Sequence, residues 1–309
     1  MDEYQESEGS EPGFSGTHSR LAYVFYRSDD PDNAIAEART ALSLDPQNAE
    51  AYRYLGLGLY SRGEYPAAIH AFDESLARNS RNAYVLNDLG IALHDLGSRE
   101  AAATAYRKAI QLDSGLWEAH SNLGIVLHEM KNFDQAIAQF QAAKRLAPNE
   151  PAVRNNLANT YSDSGDYEAA IVEFRELFRQ SPDWQRGHDR LAEALMVKRD
   201  YQSAIPELRL AILANPNGSA EHRVLGQALL LIAKPDEAAR ELRVAVALGP
   251  DSALAHHYLG MALFELRRFD EAAEEFREVL RLAPGAENHY DLAACLMTMG
   301  LYDQALAEL

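Results

Sequence analysis

The sequence predicts an all-α protein built from tandem antiparallel helix pairs. The first observation is an internal repeat: the sequence matches itself when it is shifted so that Leu21 is aligned with Leu55. The second is that each repeat unit contains two amphipathic stretches of about a dozen residues, with the apolar spacing of helices. The third is that glycine separates the two stretches in several units and proline often follows the second. Together they indicate two helices per unit and no sheet.

Leucine marks the repeat most clearly, because it recurs in nine units: Leu21, Leu55, Leu89, Leu123, Leu157, Leu191, Leu225, Leu259 and Leu292. The first seven steps between these leucines are equal, and the last is shorter by a single position. The next residue is always alanine or glycine, and another alanine follows each leucine at a constant spacing, as Ala34 follows Leu21. Small side chains let two helix backbones approach closely, and a larger side chain there would cost roughly 1–3 kcal/mol by overpacking.

Glycine and proline predict where the helices end. The turn inside the pair carries Gly63, Gly97, Gly165 and Gly300, which can adopt positive φ. Proline stops the second helix in six units, at Pro46, Pro148, Pro182, Pro216, Pro250 and Pro284, because it lacks the N–H that a helix needs. Ser80 and Ser114 replace it in two other units, and Pro206 lies about one turn into a second helix, where we expect a bend.

This pattern resembles the tetratricopeptide repeat, a helix–turn–helix unit of about 34 residues, over residues 15–309. The small-residue, alanine and terminal-proline columns of that family all occur in phase. The resemblance implies a right-handed superhelical α-solenoid in which the first helix of each pair lines a concave groove. The predicted repeats are 15–48, 49–82, 83–116, 117–150, 151–184, 185–218, 219–252, 253–285 and 286–309, the last of which is truncated inside its second helix.

Residues 1–14 are predicted to form an acidic disordered tail. They carry five acidic residues and no basic residue, and they have too little apolar surface to order themselves. The whole chain has 29 Lys+Arg and 47 Asp+Glu, a formal net charge of −18. This charge argues against nucleic acid and against anionic membrane surfaces as partners. The single cysteine and the lack of a secretory or membrane-spanning segment predict a cytoplasmic location without membrane insertion.

We find no catalytic or metal-binding motif, so the sequence predicts a protein that is not an enzyme and needs no metal or cofactor. Six histidines share the fourth position of the first helix: His18, His120, His188, His222, His256 and His289. They lie one repeat apart, about 8–10 Å or more, whereas zinc needs nitrogens within about 2.1 Å. We interpret them as packing residues. Cys295 has apolar neighbours and is interpreted as a core residue rather than a nucleophile.

The fold alone does not identify the function of a repeat protein. We therefore look for functional residues on the surface of the groove. In the family, positions 2, 5, 6, 9, 12 and 13 of the first helix face the groove, and here these columns form three zones. The first zone is rich in tyrosine: Tyr23, Tyr26, Tyr54, Tyr60 and Tyr84, with Arg20 and Arg53. The third is apolar and includes Leu230, Leu231, Phe264, Tyr290 and Met297. The predicted peptide-binding residues come from the middle and apolar zones: Asn122, Asn155, Asn156, Asn159, Arg186, Arg190, Leu254, Tyr258 and Met261.

The middle zone resembles two family mechanisms only in part. Asn156, Arg186 and Arg190 match three of the five places of a clamp that grips a peptide's C-terminal carboxylate. Ser121 and Ile125 occupy the other two places, where lysine and asparagine are required, so the clamp is incomplete. Asn122 and Asn156 also match a ladder of asparagines that binds peptide backbone in a glycosyltransferase. Specific binding and simple solvation of these amides both remain open.

Arg186 and Arg190 are predicted to share one helix face and to anchor an acidic or C-terminal peptide. At the other end of the chain, five leucines of the ninth repeat are expected to be only partly covered: Leu292, Leu296, Leu301, Leu306 and Leu309. This predicts either a fragment of a longer protein or self-association through the last repeat.

The predicted function is a non-catalytic protein–protein interaction scaffold that binds peptide segments of partner proteins. The alternative is the substrate-recruiting repeat domain of an enzyme, such as a protein glycosyltransferase, whose catalytic part is not in this chain. A third alternative is an obligate self-assembling chain.

Overall fold

The structure, a computed structural model, describes residues 14–309. These residues form eighteen helices, α1 to α18, in nine consecutive pairs without any strand. The first helices of the pairs are α1 Ser15–Arg27, α3 Ala49–Ser61, α5 Ala83–Asp95, α7 Trp117–Glu129, α9 Pro151–Asp163, α11 His188–Val197, α13 Ser219–Leu231, α15 Ala253–Glu265 and α17 Ala286–Thr298. The second helices are α2 Pro31–Leu44, α4 Tyr65–Arg78, α6 Arg99–Leu112, α8 Phe133–Leu146, α10 Tyr167–Gln180, α12 Tyr201–Ala214, α14 Pro235–Leu248, α16 Phe269–Leu282 and α18 Tyr302–Glu308. The acidic tail predicted for residues 1–14 lies outside the described residues except for Phe14.

The contacts divide the chain into two compact units, Met1–Thr160 and Tyr161–Leu309. Each unit has its own core of large side chains from the second helices. Phe72, Tyr106 and Phe140 are at most 1% exposed in the first unit, and Phe174 and Leu242 are fully buried in the second. None of the helices within residues 14–309 combines the length and the apolar character that crossing a lipid bilayer requires.

The small residue after each leucine is a site of close helix approach. The ring of Phe72 in α4 lies so close to Gly56 in α3 that a Cβ on that glycine would be 2.6 Å from Cε1. The same contact joins Gly124 of α7 and Phe140 of α8, at 2.8 Å. Nonbonded carbons pack at about 3.5–4.0 Å, so these contacts require glycine. The close approach was predicted from the sequence, but the aromatic partner on the second helix was not.

The alanine that follows each leucine at a constant spacing is also a packing position. It is between 0% and 2% exposed in all nine repeats of the described region: Ala34, Ala68, Ala102, Ala136, Ala170, Ala204, Ala238, Ala272 and Ala305. A larger side chain has no room at such a position. The interpretation of this column as a contact between closely packed helices is therefore confirmed.

Every turn inside a helix pair holds one residue with positive φ. Glycine fills four of these turns, as predicted, with φ between 77° and 87° at Gly63, Gly97, Gly165 and Gly300. The other five turns place residues with a side chain there: Asp29, Lys131, Arg199, Ala233 and Arg267, with φ between 57° and 63°. The left-handed conformation costs such residues about 1–2 kcal/mol. The helix pair therefore imposes this conformation whether or not glycine is present.

The ends of the second helices follow the predicted prolines but do not depend on them. In six repeats the second helix ends two residues before the proline. Helix α6 lacks a proline and still ends at Leu112. There the Asp113 carboxylate accepts a hydrogen bond from the backbone N–H of Gly115 at 2.9 Å, and this Asx turn redirects the chain. Pro206 lies inside α12, as its position in the sequence predicts.

The sixth repeat departs from the prediction at the start of its first helix. Helix α11 has ten residues, whereas the other first helices have thirteen. Gly187 precedes it with a φ of 99°, and Arg186 lies in the turn before that glycine. Because a left-handed residue interrupts a helix, Arg186 and Arg190 do not share a helix face. That prediction is wrong.

The leucines of the ninth repeat differ in exposure between its two helices. Those of its first helix, α17, are more buried than predicted, whereas those in and beside its second helix, α18, are exposed as predicted. Leu292 and Leu296 of α17 are each 1% exposed, because α17 packs against both α16 and α18. The expectation of partial cover is wrong for these two residues. Leu301, Leu306 and Leu309 are 37%, 77% and 72% exposed, respectively.

Candidate functional site

The six histidines at the fourth position of the repeats are held by the second helices. Each Nδ1 lies 2.6–2.7 Å from a side-chain oxygen 19 residues later, which belongs to glutamate in five repeats and to Gln139 in the fourth. In the eighth repeat, His256 also hydrogen-bonds through Nε2 to the Pro250 carbonyl oxygen at 3.0 Å. These contacts explain the repeated histidine as a link within the helix pair. Among residues 14–309, no group of three or more His, Cys, Asp or Glu side chains could hold a metal ion.

Cys295 is a core residue in the structure, as interpreted from the sequence. Its side chain is buried, and Sγ donates a hydrogen bond to the Phe269 carbonyl oxygen at 3.2 Å. Burial raises the pKa of the thiol. Because the thiolate is the reactive form, this environment does not favour a nucleophilic role.

The tyrosine zone of the first unit is a network of internal contacts. The Tyr23 and Tyr54 ring centroids lie 5.4 Å apart. Arg53 lies 5.6 Å from the Tyr84 ring centroid and donates a hydrogen bond to Asp88 Oδ2 at 2.8 Å. Burial raises the pKa of the Asp88 carboxyl, and Arg53 opposes that shift. The charge of Arg53 is therefore balanced within the protein.

The predicted asparagines of α7 and α9 are only partly available to a ligand. Asn122 Nδ2 donates a hydrogen bond to Asn87 Oδ1 at 3.0 Å. Within residues 14–309, the Oδ1 atoms of Asn155 and Asn159 are buried and have no hydrogen-bond partner, and Asn156 is half-buried. A peptide could reach those two shielded oxygens only after the side chains rotate. The asparagines therefore do not present a ready-made ladder of acceptors.

Arg190 belongs to the second unit, where two carboxylates accompany it. Its Nη1 lies 3.4 Å from Asp163 Oδ1 and 3.3 Å from Glu193 Oε2. The side chain also lines a cavity of about 700 Å³ formed with residues of α12 and α13. Arg186 is exposed in the turn before α11. The two arginines predicted to act together thus lie in different local structures, and the charge of Arg190 is balanced.

The second unit exposes apolar side chains along its first helices α13, α15 and α17. The exposed fractions are 51% for Leu231, 56% for Leu254, 42% for Met261, 66% for Tyr290 and 48% for Met297. We call these five residues the apolar face. Tyr258, the third apolar residue predicted for the site, is half-buried. A contiguous exposed apolar patch commonly marks a binding surface.

Two cavities open on the apolar face between α15 and α17. The larger, of about 600 Å³, is lined by Leu254 and Tyr290 among others. The smaller, of about 170 Å³, is lined by Met261 and neighbouring apolar side chains. Asp291 lines both cavities, and its Oδ2 lies 3.2 Å from His257 Nδ1.

Sequence reasoning missed the polar part of this site. His257 and Asp291 were not among the predicted residues, although they occupy positions 5 and 6 of their repeats. Those positions belong to the columns expected to face the groove. A search of these columns for charge as well as for apolar side chains would have found them.

Consecutive helix pairs, packed through small residues and exposing side chains on their first helices, define a helical repeat protein. The match to family models is specific: models described as tetratricopeptide repeat cover residues 19–83, 55–116, 118–181, 155–220, 223–287 and 259–309. The chain belongs to the tetratricopeptide repeat family. No curated protein sequence is significantly similar to it.

Solved structures of several repeat proteins are similar in fold. A tetratricopeptide repeat protein from Parabacteroides merdae is 16% identical with a TM-score of 0.55, and the match covers 81% of this chain and 98% of that one. The pilF protein of Pseudomonas aeruginosa is 21% identical with a TM-score of 0.52, over 80% and 97%. A chain of the APC/C hetero-tetramer Cut9–Hcn1 is 18% identical with a TM-score of 0.57, over 84% and 51%. These likenesses establish the fold alone.

Proposed function

We propose that the chain is a non-catalytic protein–protein interaction scaffold that binds peptide segments of partner proteins. The observation that carries this proposal is the apolar face of the second unit. Leu254 and Met261 are 56% and 42% exposed on one helix, α15, and apolar residues of α13 and α17 flank them. Covering such a surface stabilises a complex by about 25 cal/mol per Å² of apolar area removed from water. Methionine and aromatic side chains adapt to a peptide laid in a groove.

The peptide-binding site of this proposal consists of Leu254, Tyr258 and Met261 with the surrounding apolar face. The asparagines of α7 and α9 are secondary candidates, because their amides can both donate to and accept from a peptide backbone. The net charge of −18 favours a protein partner over nucleic acid. The single cysteine, which is free and buried, suits a reducing compartment such as the cytoplasm.

A peptide selection on the intact chain tests the proposal. Peptides displayed on phage are selected against the wild-type protein, synthesised, and measured against Leu254→Asp/Met261→Asp. We expect binding to fall by about tenfold or more, because each change puts a charge where an apolar side chain would dock. The matched control is Leu210→Asp/Leu213→Asp, at residues that are 44% and 75% exposed on the second helix α12. Circular dichroism verifies that both variants are folded.

Two results would oppose the proposal. One is that no peptide is selected above background. The other is that the control variant loses as much binding as the variant of the apolar face, since the effect would then come from added negative charge.

We propose self-association through the last repeat as a second interaction. Tyr302 and Leu306 lie on the short helix α18, and Leu309 directly follows it. Their side chains are 70%, 77% and 72% exposed, respectively. Analytical ultracentrifugation should detect a concentration-dependent dimer that Leu306→Asp abolishes. A wild-type chain that sediments as a monomer at high concentration would contradict this second proposal and leave the scaffold proposal intact.

A further inference from the structure

The groove between α15 and α17 combines apolar walls with carboxylates. Its larger cavity is bordered by Glu287 and its smaller cavity by Glu265, and Asp291 contributes to both. No lysine or arginine lies among the described residues that line the two cavities. The groove therefore has three acidic groups and no strong cation beside its apolar surface.

These carboxylates lack the arginine or lysine partners that some carboxylates on the second helices of the same unit have. On α16, Glu271 pairs with Arg243 and Arg268, with its Oε2 3.2 Å from Arg243 Nη2. In the groove, by contrast, neither Glu265 nor Glu287 forms an ion pair in the part of the chain that the structure describes. Asp291 pairs there with the imidazole of His257 and with no arginine or lysine. The negative charge of the groove is therefore left without a balancing arginine or lysine.

The position of Asp291 between the two cavities sets an order of contacts along the groove. A side chain in the larger cavity would pack on Leu254 and Tyr290, and one in the smaller cavity would pack on Met261. A cation held by Asp291 would lie between those two apolar contacts. The groove thus matches a segment in which a basic residue stands between two apolar residues.

We propose that this groove binds a segment of a partner protein with the pattern apolar–basic–apolar, the basic residue being lysine or arginine. The inference rests on the proposed scaffold function and specifies the partner's chemistry. Complementary charge across an interface speeds association and rejects partners of the wrong sign. A second copy of this chain is a poor occupant of this groove, because a chain with a net charge of −18 does not complement three carboxylates.

Three labelled peptides of equal length test this preference by fluorescence anisotropy on the intact chain. Each repeats a Leu–X–Leu pattern, and X is lysine, glutamine or glutamate. We expect the lysine peptide to bind about tenfold or more tightly than the glutamate peptide, with an advantage that shrinks as salt is added. The variant Glu265→Lys/Glu287→Lys should lose about tenfold in affinity for the lysine peptide.

The matched control is Asp236→Lys/Glu274→Lys, which changes the net charge equally at exposed positions of α14 and α16. We expect it to bind the lysine peptide within about twofold of wild type, because distant surface charges are screened. An equal loss in both double variants would overturn the inference, since the attraction would then be a property of the whole molecule.

The outcomes separate this inference from the proposed function. If the glutamine peptide binds as tightly as the lysine peptide, and both depend on Leu254 and Met261, the scaffold stands and the preference for basic segments is refuted. The preference is also refuted if phage-selected peptides bind while the lysine peptide does not. If neither the selected peptides nor any peptide of the series binds, the scaffold proposal fails as well.

Discussion

Replacing Ala233 by glycine is expected to stabilise the protein although it removes a methyl group. Ala233 occupies the turn between α13 and α14 with a φ of 58°, and its side chain is exposed. The left-handed conformation costs an alanine about 1–2 kcal/mol relative to its preferred region. Part of this gain is offset, because the greater conformational freedom of glycine in the unfolded chain costs about 0.4–1 kcal/mol of stability. The net expectation for Ala233→Gly is a gain of about 0.5–1 kcal/mol in the free energy of unfolding.

The reverse substitution measures the same effect with the opposite sign. Gly63 occupies the equivalent turn between α3 and α4 with a φ of 77°. Apart from Gly63 and its two chain neighbours, no described residue places a heavy atom within 4 Å of the position where a Cβ would stand. Gly63→Ala therefore introduces no clash, and its cost comes from the backbone alone. We expect a loss of about 0.5–1 kcal/mol.

Urea unfolding followed by far-UV circular dichroism measures both changes as shifts of the midpoint at an unchanged slope. Ala138→Gly is the control, because Ala138 is exposed in the interior of helix α8 and should lose about 1 kcal/mol on the same chemical change. If Ala233→Gly lowers the midpoint as Ala138→Gly does, the turn is not under conformational strain and the reasoning is refuted.

Three further predictions follow from contacts in the two units. Phe140→Ala should lower the free energy of unfolding by about 3–5 kcal/mol, measured by urea unfolding, because this ring is 1% exposed; a much smaller loss would contradict the packing on Gly124. Arg53→Ala should destabilise more at neutral pH than in mild acid, because burial already raises the pKa of Asp88 and protonation removes its need for a cation; equal losses in thermal unfolding at both pH values would contradict this. Cys295 should react with a thiol reagent much more slowly in the native protein than in urea, because it is buried with a raised pKa; equal rates would contradict it.

Much of the fold could be predicted from the sequence, because each residue pattern that forms a helix pair occurs in nine successive repeats. The leucine, small-residue and alanine columns predicted helix pairs in close contact, and the buried alanines confirm them. The prolines predicted the ends of six second helices correctly. The apolar members of the candidate site were also predictable, since Leu254 and Met261 occupy columns that the family resemblance places on the groove. Periodicity is a local property, and local properties can be read along one chain.

The tertiary structure decided the features that depend on partners far apart in the sequence. It showed that the repeated histidines contact side chains 19 residues away, as in the 2.7 Å contact of His222 with Glu241. It also showed that Gly187 separates Arg186 from helix α11, and that Asp291 stands between two apolar cavities. A side chain's charge balance depends on which groups the folded backbone brings within a few ångströms of it. Position within a repeat could place Asp291 on a face, but only packing of α17 beside α15 could place it in a groove without a lysine or arginine.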